Sequence, residues 1–78
     1  MKIVFTGKMN KPRYQETEKF KNWGIIVQKS ITKSTDFLVT GERVGENKIN
    51  KAKYYGITII TENDFYDKLE NEFPEYLL

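Results

Sequence analysis

The sequence contains no cysteine and no histidine. Without cysteine the chain can form no disulfide, thiol nucleophile or thiolate metal site. Without histidine it lacks the commonest general base and the commonest metal ligand. No apolar run approaches the roughly 18 residues of a membrane span, and residues 1–5 (MKIVF) lack the layout of a signal peptide. We therefore expect an intracellular binding module with no enzymatic activity, no metal and no cofactor.

Length and charge point to one small domain with an uneven surface. The chain has 78 residues, and its 38% hydrophobic and 14% aromatic content argues against disorder. Residues 1–60 carry twelve Lys/Arg and five acids (+7), whereas residues 61–78 carry one Lys and six acids (−5). Such segregation predicts a face that attracts polyanions, although both sets are also what an ordinary solvated surface would show.

Alternating strand and helix patterns predict an α/β fold. Apolar or β-branched runs predict strands at residues 2–6, 25–27, 36–40 and 57–60. Helices are predicted at residues 13–23, at 47–55, and after Thr61, where Phe65, Leu69 and Phe73 form an apolar stripe before Pro74. The order β-α-β-β-α-β-α favours a mainly parallel sheet covered on both faces, including the second strand. About eight residues join strands two and three, too few for a helical crossover, so these strands should lie apart.

Four stretches carry a resemblance to a known family. They are residues 4–7 (VFTG), 23–27 (WGIIV), 30–39 (SITKSTDFLV) and 45–52 (GENKINKA). In this order and spacing they resemble the BRCT domain of DNA-repair and replication proteins, over residues 3–69. The sequence of these stretches most resembles the branch of the family found in NAD-dependent DNA ligases and in the large subunit of replication factor C. The resemblance implies one domain over 1–78, with a core of 2–70 and a tail of 71–78. It also implies sheet order 2-1-3-4, with helices one and three on one face and helix two on the other.

Two residues depart from the family pattern. Trp23 stands where the family usually has the first of two glycines, so the turn after the first helix must differ or suit Trp. Phe65 replaces the family's usual Trp in the third helix and should keep an aromatic plug there. We expect Trp23 to serve packing and not recognition.

The resemblance also implies a phosphate site. It places Thr6, Gly7 and Lys48 around one phosphate, and in the clamp-loader branch Arg13 would join them. A hydroxyl, a glycine N–H and a lysine in the first turn of a helix are suitable phosphate donors. The alternative is that Thr6 caps a turn, Gly7 supplies a positive φ and the basic residues only face solvent. Further contacts to a DNA backbone are expected from Lys8, Lys11, Lys29, Lys33, Arg43 and Lys51.

Other signals are weaker. Four acids of the last helix could together bind a metal ion: Asp64, Asp67, Glu70 and Glu72. They lie on the polar side of the helix, so we expect a solvated face instead. Tyr54 and Tyr55 could stack on bases, but partial burial against the sheet is the favoured prediction.

The resulting hypothesis is a non-catalytic module of DNA replication or repair that binds a 5′-phosphorylated end or nick. The alternative is a protein-interaction module, which would read a phosphopeptide, dock without phosphate, or form a homodimer. We expect a monomer without membrane contact, cytoplasmic in a bacterium or phage and nuclear in a eukaryote. Whether the chain is free-standing or part of a ligase stays open at this stage.

Overall fold

A four-stranded parallel sheet forms the centre of the computed structural model, which describes residues 1–8 and 19–72. The strands are β1 (Lys2–Thr6), β2 (Ile26–Gln28), β3 (Phe37–Thr40) and β4 (Thr58–Thr61). Their order is β2-β1-β3-β4 and all three pairings are parallel. The predicted α/β fold, its strand order and the separation of strands two and three are therefore confirmed.

Three helical segments accompany the sheet. Residues 19–22 are the described part of the first predicted helix, whereas Arg13, Phe73 and Pro74 lie outside the described residues. The second and third predicted helices are α1 (Glu46–Tyr55) and α2 (Glu62–Glu72). Within residues 1–8 and 19–72, no helix has the length and apolar character needed to cross a membrane.

One face of the sheet packs against residues 19–22 and α2. Ile3 and Phe5 of β1 contribute to this buried cluster. Phe5 stacks on Phe20 with ring centroids 6.3 Å apart, and Phe65 meets both rings edge-on at 6.0 and 5.9 Å. Such pairs contribute about 0.5–1.5 kcal/mol beyond the area they bury. Phe65 is fully buried, which confirms the expected aromatic plug.

The opposite face packs against α1. Val4 and Leu38 point to this side and join Ala52 of α1, together with Ile31 and Ile57. Successive strand residues alternate between the faces of a sheet, so Val4 faces away from its neighbours Ile3 and Phe5. Helices one and three therefore lie on one face and helix two on the other, as predicted.

The second, third and fourth strands each begin one residue later than the sequence predicts, and the second and fourth also end one residue later. The amide of Ile25 donates to the carbonyl oxygen of Phe20 at 2.7 Å, and that of Ile57 to the oxygen of Ala52 at 2.8 Å. Both isoleucines are buried, and their amides donate to helical residues. The prediction that strand two is covered on both faces is wrong for Ile26, which is 54% exposed because β2 is a short edge strand.

The turn after residues 19–22 accommodates Trp23 without strain. The amide of Trp23 donates to the oxygens of Lys19 and Phe20, which continues the helical pattern, and Gly24 takes the positive φ of 75°. The Trp23 side chain is partly buried against the cluster around Phe5. Its predicted packing role is confirmed.

Candidate phosphate-binding site

The last residue of β1 places a buried hydroxyl at the carboxyl edge of the sheet. Thr6 alternates with Phe5, so its side chain lies on the side covered by α1. It is 9% exposed, and among the described residues its hydroxyl makes no hydrogen bond. Buried polar groups normally have a partner, so this hydroxyl is available to an incoming acceptor or donor. Ligands of open α/β sheets commonly bind at this edge.

Gly7 brings the end of β1 against the loop that leads into α1. Its φ of 83° suits glycine, and a Cβ on it would lie 2.6 Å from the carbonyl oxygen of Glu42 and 3.1 Å from Val44. No larger residue fits this approach without movement of the backbone. Gly7 is nevertheless exposed to solvent on its open side. Gly7 therefore lies against Val44, which is two residues before the start of α1.

The first turn of α1 lacks a side-chain cap. Its N-cap residue is Gly45, and within residues 1–8 and 19–72 no side-chain cap accepts a hydrogen bond from the first turn. The first N–H groups of a helix have no intrahelical acceptor and carry partial positive charge. Lys48 lies in this turn and is partly buried, and Glu46 beside it is exposed. The turn can hold an oxyanion, provided that the Glu46 carboxylate stays in solvent.

Two of the predicted basic residues lie outside the described residues: Arg13, predicted for the phosphate site, and Lys11, predicted for the DNA backbone. Lys8, Arg43 and Lys51 are exposed. Arg43 lies in the loop beside Gly7 with a φ of 55°, which is uncommon for a residue other than glycine.

The two remaining lysines follow β2. Lys29 and Lys33 are both exposed. Lys33 adjoins Ser34, whose Oγ accepts from Lys2 Nζ at 3.4 Å, and Lys2 is the first residue of β1. Lys33 therefore lies toward the amino edge of the sheet, opposite to Thr6.

A polar cleft that the sequence reading missed lies at the carboxyl ends of β3 and β4. It has a volume of about 210 Å³ and is lined by Lys8, Thr40, Gly41, Glu42, Thr61, Glu62 and Asn63. The sequence did contain a signal for this cleft, because β3 and β4 end in Thr40 and Thr61 at the same edge of the sheet. The two glutamates in its lining make it a poor anion site, so it borders the candidate phosphate site without extending it.

The aromatic pair of α1 is more exposed than predicted. Tyr54 is 82% exposed and Tyr55 37%, so the favoured burial is wrong for Tyr54. A helix turns by about 100° per residue, which places Tyr54 about 200° from the buried Ala52 and therefore on the outer side.

Four of the five acidic residues of α2 form an exposed face, whereas the fifth, Glu62, is buried. Asp64, Asp67, Glu70 and Glu72 are all exposed, and Glu72 accepts a hydrogen bond from Lys68 at 2.6 Å. In residues 1–8 and 19–72, no group of three or more acids is arranged to hold a metal ion. The predicted solvated face is what the structure shows.

Comparison with known proteins identifies the family. Residues 1–69 match the family model described as the BRCA1 C Terminus (BRCT) domain, and the chain belongs to this family. It is 44% identical over 68 residues to a DNA ligase of Ruthia magnifica subsp. Calyptogena magnifica, covering 87% of this chain and 11% of the ligase. It is 42% identical over 69 residues to a DNA ligase of Mesomycoplasma hyopneumoniae (strain 7448), covering 88% of this chain and 10% of the ligase. The chain is thus related to the BRCT region of DNA ligases and spans about a tenth of their length.

Proposed function

We propose that this chain is a non-catalytic BRCT module that binds DNA through a phosphate, at a 5′-phosphorylated end or nick, and serves replication or repair. The observation that carries the proposal is the first turn of α1, which has no side-chain cap from Gly45 and begins two residues after Val44, a neighbour of the exposed Gly7. The Thr6 hydroxyl, which has no hydrogen-bond partner among the described residues, adds a donor on the same side of the sheet.

The proposed contacts follow from the chemistry of each group. The Thr6 hydroxyl, the Gly7 amide and the first-turn amides of α1 donate to phosphate oxygens, and Lys48 supplies the full positive charge. Arg13 would add a second charge if it lies where the family resemblance places it. A terminal phosphate is more accessible and carries more charge than a phosphate within a strand, so this set of donors favours an end or a nick.

Exposed basic residues near the site would hold the flanking backbone. Lys8 and Arg43 lie in the two loops that meet at Gly7, and Lys51 lies one turn after Lys48 on α1. Each neutralises one phosphate and releases its counterions, which makes affinity fall with salt. The relationship to DNA ligases supports DNA as the partner.

The proposal is tested by comparing Lys48→Ala with Lys53→Ala. Both residues lie on α1, but Lys53 is in its last turn. Affinity is measured by fluorescence anisotropy for a nicked duplex with a 5′-phosphate and for the same duplex without it. We expect the wild-type chain to prefer the phosphorylated nick, and Lys48→Ala to lose about tenfold or more of that affinity, in line with a charge-assisted hydrogen bond. Lys53→Ala should keep the preference.

A second variant probes the buried hydroxyl. Thr6→Val keeps the shape of the side chain and removes its hydrogen-bonding capacity, so it should reduce the phosphate preference while the domain stays folded. Equal binding of both duplexes by the wild-type chain would reject end recognition. No binding to either would favour a protein partner instead.

A further inference from the structure

Two adjacent tyrosines at the C-terminal end of α1 form an exposed aromatic surface. Tyr54 is 82% and Tyr55 37% exposed, and their ring centroids are 5.1 Å apart at an interplanar angle of 74°. Among the described residues neither hydroxyl makes a hydrogen bond. Two exposed aromatic rings in contact form a patch, which is more informative than a single exposed apolar side chain.

The backbone of the last turn of α1, which carries the two tyrosines, is anchored to the buried cluster on this face of the sheet. The amide of Ile57 donates to the carbonyl oxygen of Ala52 at 2.8 Å, and both residues are buried in the cluster on this face of the sheet. Gly56 closes the helix between them. The tyrosines therefore project from an ordered turn, and little entropy is lost when a ligand contacts them.

The charges of the same helix indicate what such a ligand carries. Lys48, Lys51 and Lys53 outnumber the single acid Glu46. Lys51 precedes Tyr54 by three residues and Tyr55 by four, so its side chain lies on their side of the helix. A surface with flat apolar groups and positive charge fits a ligand that has flat apolar groups and negative charge. Single-stranded nucleic acid has both.

We propose that Tyr54, supported by Tyr55, stacks on an unpaired base of DNA while Lys51 binds the adjoining phosphate. This inference rests on the proposed function in one respect: the proposed phosphate site fixes where the 5′ end of the DNA strand lies. Lys48 and Tyr54 are six residues apart, roughly 9 Å along the helix axis, or about three base-pair steps. A base inside a duplex offers no free face, so the preferred DNA is a phosphorylated end that carries a single-stranded extension.

The test compares Tyr54→Ala with Tyr54→Phe on four DNA probes. The probes are a duplex with a short single-stranded extension and the same duplex with a blunt end, each with and without a 5′-phosphate. We expect Tyr54→Ala to lose about fivefold or more in affinity for the extended probes, as alanine substitution of a stacking residue does, and to bind blunt probes like the wild-type chain. Tyr54→Phe keeps the ring and should keep the affinity.

The outcomes separate this inference from the proposed function. Unchanged binding of extended DNA by Tyr54→Ala overturns base stacking, even if Lys48→Ala still abolishes the phosphate preference. Conversely, if the wild-type chain ignores the 5′-phosphate but Tyr54→Ala still loses affinity for extended probes only, stacking stands and end recognition fails. Because Tyr54 is 82% exposed, Tyr54→Ala should melt with the wild-type midpoint, which excludes unfolding as the cause.

Discussion

Lys8 and Glu42 exchange two backbone hydrogen bonds, from the Lys8 amide to the Glu42 oxygen at 2.7 Å and from the Glu42 amide to the Lys8 oxygen at 2.9 Å. They form an antiparallel bridge just beyond the ends of two parallel strands. The amide of Gly41 also donates to the oxygen of Thr6 at 2.9 Å. These bonds fix the loop before α1 to the end of β1, and so they fix the first turn of α1 relative to Thr6.

Gly41→Ala should destabilise the domain by disturbing this bridge. A Cβ on Gly41 would overlap the carbonyl oxygen of Lys8, which is backbone and cannot turn away. Overpacking of this kind costs about 1–3 kcal/mol. Urea unfolding measures the change in the free energy of unfolding.

Gly45→Ala is the matched control for Gly41→Ala. Gly45 has an ordinary φ of −75°, and a Cβ there meets nothing within 4 Å. It reports the general effect of replacing a loop glycine, including the loss of a favourable N-cap residue. We expect the Gly41 variant to unfold at clearly lower urea; similar midpoints for both would show that the bridge yields without strain.

Thr35→Val should destabilise the loop between β2 and β3. Thr35 is 5% exposed; its hydroxyl donates to Gln28 Oε1 at 2.5 Å and accepts from the Thr32 amide at 2.9 Å. Valine has the same shape but leaves both partners without their bond, at a cost of about 1–3 kcal/mol. Thermal or urea unfolding tests this against Ser34→Ala, which alters an exposed hydroxyl in the same loop. Equal stability of the two variants would contradict the role given to Thr35.

The parts of the fold that the sequence could predict are those governed by local periodicity. Alternation separates Ile3 and Phe5 from Val4, and the spacing of Phe65 and Leu69 places one face of α2 on the sheet. The separation of strands two and three also follows, because the link between them is too short for a helical crossover, whereas the full strand order came from the family resemblance.

What the sequence could not predict depends on contacts between distant residues. The start of β2 is set by the bond from Ile25 to Phe20, and the exposure of Ile26 by its place at the sheet edge. The exposure of Tyr54 was missed because a short helix with few apolar residues does not define its buried side clearly. At the site, sequence alone suggested Thr6, Gly7 and Lys48 through family resemblance, but the bridge from Lys8 to Glu42 has no sequence signal.

Lys51→Ala should reduce the salt dependence of DNA binding, whereas Lys68→Ala should not. Lys51 is exposed on α1, while Lys68 lies on the acidic helix α2 and pairs with Glu72 at 2.6 Å. Each phosphate contact contributes about 0.9 to the slope of log affinity against log salt, so losing the Lys51 contact should lower the slope by about that amount. Both variants remove one positive charge from the chain. A lower slope in Lys51→Ala alone would therefore show that the position of the lysine matters. Equal slopes for the two variants would mean that only net charge attracts DNA.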